Sequence, residues 1–202
     1  DNGYIKALVG GKDYDASQVN MATGTGGSGR QAGSSFKTFT LVAAIEQGID
    51  PSTMIDASAT AKLPGWEVAN INHTNYGTKS ISDAFAVSSN TAFARLILSI
   101  GPDKVVDVAK RMGITSPLTA TGSLTLGSES VTPLEMANAY ATIANGGTHY
   151  DPECVERIVD RNGSIVVDNS APKGTRAISA EVAHAATEVM KGVITKGTGQ
   201  AA

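Results

Sequence analysis

Apolar positions recur with helical spacing over much of the chain, and glycines and prolines divide it into short segments. A helix is predicted over residues 34–47, closed by Gly48, and its almost wholly apolar run from Phe36 to Ile45 indicates that it is buried. Ser80 with Asp83 is the expected cap of a second, shorter helix. The same patterns predict helices over 81–87, 91–100, 102–112, 133–145 and 180–194. Ser80 starts the first of these, Gly101 ends the second, and Pro102, Thr132 with Pro133, and Ser179 start the other three.

Strand patterns are fewer than helix patterns. Residues 4–9 alternate as a strand does, and the runs 153–160 and 164–168 flank Asn162-Gly163, which predicts a hairpin. Residues 10–33 and 52–79 have the composition of irregular segments. Helices therefore dominate, with too few strands for a complete sheet.

Composition and charge narrow the class of protein. The 202 residues are 41% hydrophobic and 17% charged, which suits one globular domain with a real core. No apolar run is long enough for a membrane span or an export signal. A net charge of −3 without a basic, aromatic stripe argues against nucleic acid as a partner. The lone Cys154 and the scattered His73, His149 and His184 predict no disulfide, metal site or cofactor.

A glycine-rich stretch over residues 24–29 matches the GxGxxG pattern of dinucleotide-binding turns. That function needs a strand directly before the glycines and a helix directly after them. Here the predicted strand ends near Val9 and the helix begins after Gly33. We therefore interpret residues 24–29 as a flexible loop.

A serine and a lysine three residues apart, Ser34 and Lys37, open the buried helix. Residues with this spacing share one helical face, and burial lowers the pKa of a lysine, so its amine can act as a base toward the serine. The alternative is that Ser34 only caps the helix while Lys37 reaches solvent. A second pair with this spacing, Ser170 and Lys173, lies on a proline-containing polar segment that does not hold two side chains together.

A third candidate, Ser88-Ser89-Asn90, separates two predicted helices. On a turn, Ser88 and Asn90 can face one cleft, where the hydroxyl relays a proton and the carboxamide binds an amide. Helix capping is the simpler interpretation of these residues alone. Combined with Ser34 and Lys37, they complete the first two of the three motifs of active-site-serine penicillin-interacting enzymes.

Five segments resemble the transpeptidase domain of penicillin-binding proteins, especially the bifunctional class A type. They are GYIKALVGGKDYD, RQAGSSFKTFT, AVSSNTAFARL, LTLGSESVTPLEMANAYATIANGG and VITKGTGQAA, and they extend over essentially the whole chain. The resemblance implies that Ser34 is the acylated nucleophile and Lys37 its base. It also implies that Ser88 relays a proton and that Asn90 binds substrate.

The resemblance implies an α+β fold, mostly antiparallel sheet with helices and a helical subdomain. It implies a D,D-transpeptidase that cross-links the D-Ala-D-Ala stem peptides of peptidoglycan and is acylated by β-lactams. The parent protein would be membrane-anchored, with this domain on the outer face of the bacterial cytoplasmic membrane.

The family's third motif, Lys-Thr-Gly on a sheet strand, does not occur in the chain. Lys196-Gly197-Thr198-Gly199 has the wrong order and resembles the loop before that strand. Asp1-Asn2-Gly3 resembles a hairpin turn whose first strand is absent. We therefore expect residues 1–202 to form a partial domain, incomplete at both ends, with a complementing C-terminal segment among its partners.

Two alternatives stay open at this point. A serine β-lactamase would need a carboxylate that activates water, for which Glu129 and Glu135 are the nearest candidates, and class A enzymes have Asp where this chain has Ser89. A non-catalytic module would bind stem peptides or partner proteins only. The intact set of Ser34, Lys37, Ser88 and Asn90 argues against that module.

Overall fold

The computed structural model describes residues 2–201, and its framework is a group of helices around one apolar core. The α-helices are α1 (Lys37–Glu46), α2 (Ile81–Ala86), α3 (Asn90–Ile100), α4 (Pro102–Arg111), α5 (Pro133–Ala144) and α6 (Ala180–Lys196). Short 3-10 turns cover Gly33–Phe36, Ile71–His73 and Gly122–Leu126. None of the helices among these residues is long and apolar enough to cross a bilayer.

The strands of the described residues are short and form separate antiparallel pairs rather than one sheet. The pairs are β1 (Arg30–Gln31) with β6 (Ser130–Val131), β2 (Met54–Asp56) with β5 (Thr78–Ser80), β3 (Thr60–Leu63) with β4 (Trp66–Ala69), β7 (Thr148–His149) with β10 (Thr175–Arg176), and β8 (Arg157–Val159) with β9 (Ile165–Asp168). Helices and antiparallel pairs together agree with the expected α+β class.

Helix α1 lies at the centre of the core. Every residue from Phe36 to Ala44 is buried, and the helix packs against α3, α4 and α6. The almost continuous apolar run is the physical reason, because a helix that is hydrophobic on all sides is stable only when it is enclosed. One charged side chain, that of Lys37, is enclosed with it.

The helix boundaries follow the capping residues that the sequence predicted. The Ser80 side chain accepts the N–H of Asp83 at 3.0 Å, and Ser179 accepts the N–H of Val182 at 3.2 Å. Thr132 and Glu135 form a reciprocal capping box at the start of α5. The predicted helices are thus confirmed, with ends displaced by up to three residues, the largest displacement being at the start of α1, where Gly33–Phe36 form a 3-10 turn.

Two predictions about strands were wrong. Residues 5–9 form no strand, and only an isolated bridge joins Tyr4 to Glu153, because no described segment pairs with that run. Residues 52–79 are not irregular but contain β2 to β5, whose strands of three or four residues are too short for a clear alternation. The hairpin around Asn162-Gly163 is confirmed with a shorter first strand. Of the predicted turn at the N-terminus, Asp1 lies outside the described residues.

Candidate active site

Ser34 and Lys37 meet where the 3-10 turn Gly33–Phe36 leads into α1. The Lys37 amine donates a hydrogen bond to the Ser34 hydroxyl, with 2.9 Å between Nζ and Oγ. Ser34 is exposed, whereas Lys37 is 1% exposed. Lys37 therefore does not reach solvent, and Ser34 makes no side-chain cap to the helix that follows. The three-residue spacing brings together the two groups that the sequence paired.

The Lys37 amine has four oxygen neighbours, and none of them is charged. Besides Ser34 Oγ, Nζ lies 2.8 Å from the Ser88 carbonyl oxygen, 3.0 Å from Ser88 Oγ and 2.8 Å from Asn90 Oδ1. Because no carboxylate offsets the lost hydration, burial lowers the pKa of Lys37 from 10.5 to about 8. The amine is thus close to exchanging its proton at neutral pH.

The chemistry of these neighbours restricts where a neutral Lys37 directs its lone pair. The Ser88 carbonyl and Asn90 Oδ1 can only accept hydrogen bonds, so they take both N–H groups of a neutral amine. The lone pair then faces the hydroxyl of Ser34 or of Ser88. Either hydroxyl can donate a proton to it, which is the requirement for general-base activation of a serine.

A turn between α2 and α3 brings Ser88 and Asn90 to the same amine. Ser88 has a φ of +56°, a left-handed conformation that costs a non-glycine residue about 1–3 kcal/mol. Ser89 points the other way, is fully buried and caps α3 by accepting the N–H of Ala92 at 3.2 Å. The capping interpretation therefore applies to Ser89, whereas its two neighbours face Lys37.

A backbone carbonyl on the side away from Lys37 fixes the orientation of the Asn90 carboxamide. Its Nδ2 donates to the Ala69 carbonyl at 3.0 Å, which directs Oδ1 toward Lys37. One N–H of Asn90 is then left for another acceptor.

Three of the four predicted residues, Ser34, Lys37 and Ser88, line a cleft of about 390 Å³, whereas Asn90 does not line it and contacts Lys37 instead. Its polar floor contains Ser34, Lys37 and Ser88, and one wall contains Thr198. The remaining wall is mainly apolar and is formed by Phe85, Tyr140, Met190, Val193 and Ile194. A cleft with apolar walls and a few convergent polar groups suits a small organic or peptide ligand.

Sequence reasoning missed two contributors to this cleft. Tyr140 of α5 donates its hydroxyl to the Ser35 carbonyl at 2.9 Å, and burial raises its pKa, so it stays protonated. Thr198 donates its N–H to the Ala86 carbonyl at 3.1 Å, which holds the segment after α6 beside the turn at Ser88. The chain separations of 105 and 112 residues left no local signal for either contact.

The competing motifs do not form sites. Residues 24–29 follow no strand and open no helix, so the dinucleotide interpretation has no support. Ser170 lies in an exposed segment outside any helix, and its hydroxyl donates to the Asp168 carboxylate at 2.5 Å. Among residues 2–201 no group of three or more His, Cys, Asp or Glu side chains is placed to hold a metal ion.

The two carboxylates considered for a β-lactamase do not line the Ser34 cleft. Glu135 is buried, and its oxygens accept hydrogen bonds from Thr115, Ser116 and Thr132. Burial alone would raise the pKa of Glu135, but these donors outweigh it and lower the pKa from 4.5 to about 2. Glu135 is a structural anion at the start of α5.

A serine and a buried lysine that share a cleft with a second serine, together with an asparagine in contact with that lysine, define a serine acyl-transfer domain. Comparison with known proteins agrees with this class. The family model for the penicillin-binding protein transpeptidase domain matches residues 1–202, and the chain belongs to that family. The resemblance inferred from the sequence is thereby confirmed.

Relatives and solved structures agree on the family and the fold. Penicillin-binding protein 2D of Bacillus subtilis is 37% identical over 174 residues, which cover 83% of this chain and 25% of that protein. Penicillin-binding protein 1A from Haemophilus influenzae has a crystal structure that matches with a TM-score of 0.88 at 29% identity, covering 100% of this chain and 36% of the other. The structure of PonA1 from Mycobacterium tuberculosis in complex with penicillin V matches with a TM-score of 0.85 at 32% identity, covering 96% of this chain and 53% of the other. The chain spans about a quarter of the length of the curated relatives.

Proposed function

We propose that this domain is a peptidoglycan D,D-transpeptidase that works through an acyl-enzyme on Ser34. The observation that carries the proposal is the contact of 2.9 Å between Ser34 Oγ and the amine of the buried Lys37. Family membership and the penicillin V complex of PonA1 support it. Lys37 serves as the base, Ser88 as the proton relay and Asn90 as a substrate-binding residue.

In the acylation step, neutral Lys37 takes the Ser34 proton while Oγ attacks the carbonyl carbon between the two D-alanines of a stem peptide. An ester bond to Ser34 forms, and the C–N bond to the terminal D-alanine breaks. Ser88 passes the proton from Lys37 to the departing amine, since Ser88 Oγ lies 3.0 Å from Nζ. The remaining N–H of Asn90 binds a carbonyl of the stem peptide.

In the second step, an amine of a neighbouring stem peptide attacks the ester carbon. The new C–N bond is the cross-link, Ser34 leaves as a hydroxyl, and the proton of the attacking amine returns through Ser88 and Lys37. A β-lactam takes the place of the D-Ala-D-Ala unit. Its ring opens when Oγ attacks, and the ester on Ser34 then persists.

The proposal includes a strand that carries the Lys-Thr-Gly motif beside Thr198. The 202 residues contain no such motif, and Thr198 and Ile194 line the same cleft as Ser34. A complementing segment that carries this motif therefore belongs to the proposed active site. The reaction places the domain on the outer face of the bacterial cytoplasmic membrane, where stem peptides are cross-linked.

The test is intact-mass spectrometry of the protein, expressed from its full coding sequence, before and after incubation with penicillin V. We expect a shift by the mass of one penicillin, located to Ser34 by peptide mapping. Ser34→Ala should abolish the shift. Ser170→Ala, which alters the other serine with the same spacing to lysine, should leave it unchanged.

Other outcomes would contradict the proposal. No adduct on the folded protein favours a non-catalytic module that only binds stem peptides. Rapid release of opened penicillin with regeneration of free Ser34 favours a β-lactamase. An adduct without release of D-alanine from a D-Ala-D-Ala peptide would limit the activity to penicillin binding.

A further inference from the structure

Beneath the turn that carries Ser88 and Asn90 lies a cluster of buried polar side chains that the proposed chemistry does not use. Asn70 is 3% exposed, and Ser89 and Thr91 are fully buried. Asn70 follows β4, whereas the other two belong to the start of α3. Buried polar groups persist when their hydrogen bonds are satisfied, so the partners of Asn70 indicate what the cluster holds.

The carboxamide oxygen of Asn70 receives the start of α3. Oδ1 accepts from Ser89 Oγ at 3.0 Å and from the N–H of Thr91 at 3.1 Å. The Thr91 hydroxyl is 3.3 Å from the same oxygen but lies only 2.8 Å from the Ser58 carbonyl, to which it donates. One oxygen therefore contacts the residues on both sides of Asn90.

The amide nitrogen of Asn70 binds the backbone of two neighbouring segments, one before Asn70 in the chain and one after it. Nδ2 lies 3.1 Å from the carbonyl oxygens of Ala57 and Ser58, in the β2–β3 connection, and 3.0 Å from that of Thr74. Its two N–H groups thus serve three carbonyls. The backbone N–H of Asn70 also donates to the Ala59 carbonyl at 2.9 Å.

From these contacts we infer that Asn70 is a positioning residue for the proposed acylation, which holds the Ser88–Asn90 turn against Lys37 without bonding to Ser34 or Lys37 itself. The neighbouring Ala69 carbonyl, which orients the Asn90 carboxamide at 3.0 Å, completes the support. The inference rests on the proposed function for its catalytic consequence. The structural part, control of the surroundings of Lys37, does not depend on it.

Release of the Ser88–Asn90 turn should raise the pKa of Lys37. Ser88 has a φ of +56°, a conformation that persists only where its surroundings determine it. Without the Asn70 contacts, the Ser88 carbonyl and Asn90 Oδ1 withdraw from Nζ, and water takes their place. The desolvation that lowers the pKa of Lys37 is then relieved, and the pKa moves toward its ordinary value of 10.5.

Two variants test this at different severity, and a third provides a matched control. Asn70→Ser removes the carboxamide, and Thr91→Val removes one buried hydroxyl without a change of shape. Thr142→Val makes the same exchange at another buried helical threonine, which does not line the Ser34 cleft. The Thr142 hydroxyl donates to the backbone carbonyl of Asn138 at 3.1 Å. All are made in the protein expressed from its full coding sequence.

The first measurement separates penicillin V binding from acylation. We expect the acylation rate constant to fall by about 10–100-fold in Asn70→Ser, as a misplacement of about 1 Å can cause, and by less in Thr91→Val. The dissociation constant of the non-covalent complex should rise by a smaller factor, because Asn70 does not border the cleft and the displaced Asn90 is only one of the groups that bind the ligand. Thr142→Val should acylate as the wild type does, even where its melting temperature falls equally.

The second measurement is the pKa of Lys37, obtained from the pH dependence of trace acetylation of its amine. It should rise from about 8 in Asn70→Ser and in Thr91→Val but stay in place in Thr142→Val. An unchanged pKa together with an unchanged acylation rate in the folded variants overturns the inference. If Asn70→Ser does not fold, Thr91→Val decides. If the wild type is not acylated, the proposed function fails, and the titration alone decides whether Asn70 positions the turn.

Discussion

Two buried charged groups, Lys37 at the start of α1 and Glu135 at the start of α5, show how surroundings decide between chemistry and stability. Both are buried, and both lie in the first turn of a helix. Lys37 meets neutral oxygens only, and burial lowers its pKa from 10.5 to about 8. Burial opposes the charge of Glu135, but backbone and hydroxyl donors outweigh it, and its pKa falls from 4.5 to about 2.

The same direction of shift has opposite chemical consequences. The pKa of Lys37 moves toward neutrality, so a proton can leave and return at physiological pH. The pKa of Glu135 moves away from neutrality, so its charge is fixed and its donors stay bound. A buried base becomes useful where its charge is poorly compensated, and a buried acid becomes structural where its charge is fully compensated.

The largest expected effect comes from removing the base. Lys37→Arg keeps a positive charge but cannot release its proton, and Lys37→Met has no amine at all. Both should lower the acylation rate by about 10²–10⁴-fold, measured with penicillin V under single-turnover conditions. In the wild type the rate should rise with pH and level off above about pH 8, because neutral Lys37 is the active form. An arginine variant with near-normal rate would contradict the role of Lys37 as the base.

Substitution of Glu135, at the start of α5, should lower the stability of the domain but not its activity. In Glu135→Gln one carboxylate oxygen becomes an NH2 group, which cannot accept the hydrogen bonds that Thr115, Ser116 and Thr132 donate to the two oxygens. The free energy of unfolding should therefore fall by about 3 kcal/mol. Acylation per folded molecule should be unchanged. Urea unfolding measures the first quantity, and titration with penicillin V measures the second.

The matched control is Glu129→Gln, which changes a half-buried glutamate without these donors and should shift stability by less than about 0.5 kcal/mol. Because the pKa of Glu135 is lowered on folding, its contribution is present above pH 4.5 and is lost as the pH falls toward 2. The wild type and Glu135→Gln should therefore converge in acid. Equal stabilities already at pH 7 would show that the carboxylate contributes nothing.

The two regions also differ in how far the sequence predicted them. The pairing of Ser34 with Lys37 and the capping of α5 by Thr132 depend on residues three apart, so helix geometry alone determines them. The turn at Ser88 was predicted as a way to bring two side chains into one cleft. Its left-handed conformation could not be predicted, because Ser carries no preference for a positive φ.

Long-range partners account for what was missed. Apart from Thr74, the side-chain partners of Asn70 lie 12–21 positions away, and Tyr140 reaches Ser35 across 105 positions, so these contacts leave no periodic signal. Strands β2 to β5 were missed because short strands are specified by pairing more than by alternation. The strand predicted over residues 4–9 had the alternation but lacks a partner among the described residues.

A smaller effect sharpens the comparison through stability at high pH. Folded Lys37 releases its proton near pH 8, whereas the unfolded chain keeps it up to about 10.5. Between these two pH values the unfolded state binds more protons than the folded state, so the free energy of unfolding rises with pH. The cost of burying a charged Lys37 disappears as the folded amine becomes neutral. Between pH 8 and about pH 9.5 the wild type should gain about 2 kcal/mol relative to Lys37→Met. Urea unfolding at both pH values measures this difference, and parallel behaviour of the two proteins would mean that Lys37 titrates normally.

The smallest effect concerns the backbone at Ser88. Glycine adopts a φ of +56° freely, whereas alanine keeps the penalty of a Cβ in this region. Ser88→Gly should therefore be more stable than Ser88→Ala by about 1 kcal/mol, although both lose the hydroxyl that bonds to Lys37. Both should release D-alanine from a stem peptide more slowly than the wild type, because the relay hydroxyl is gone. Alanine as stable as glycine would mean that the turn relaxes, and that its conformation is not imposed by the contacts that hold it against Lys37.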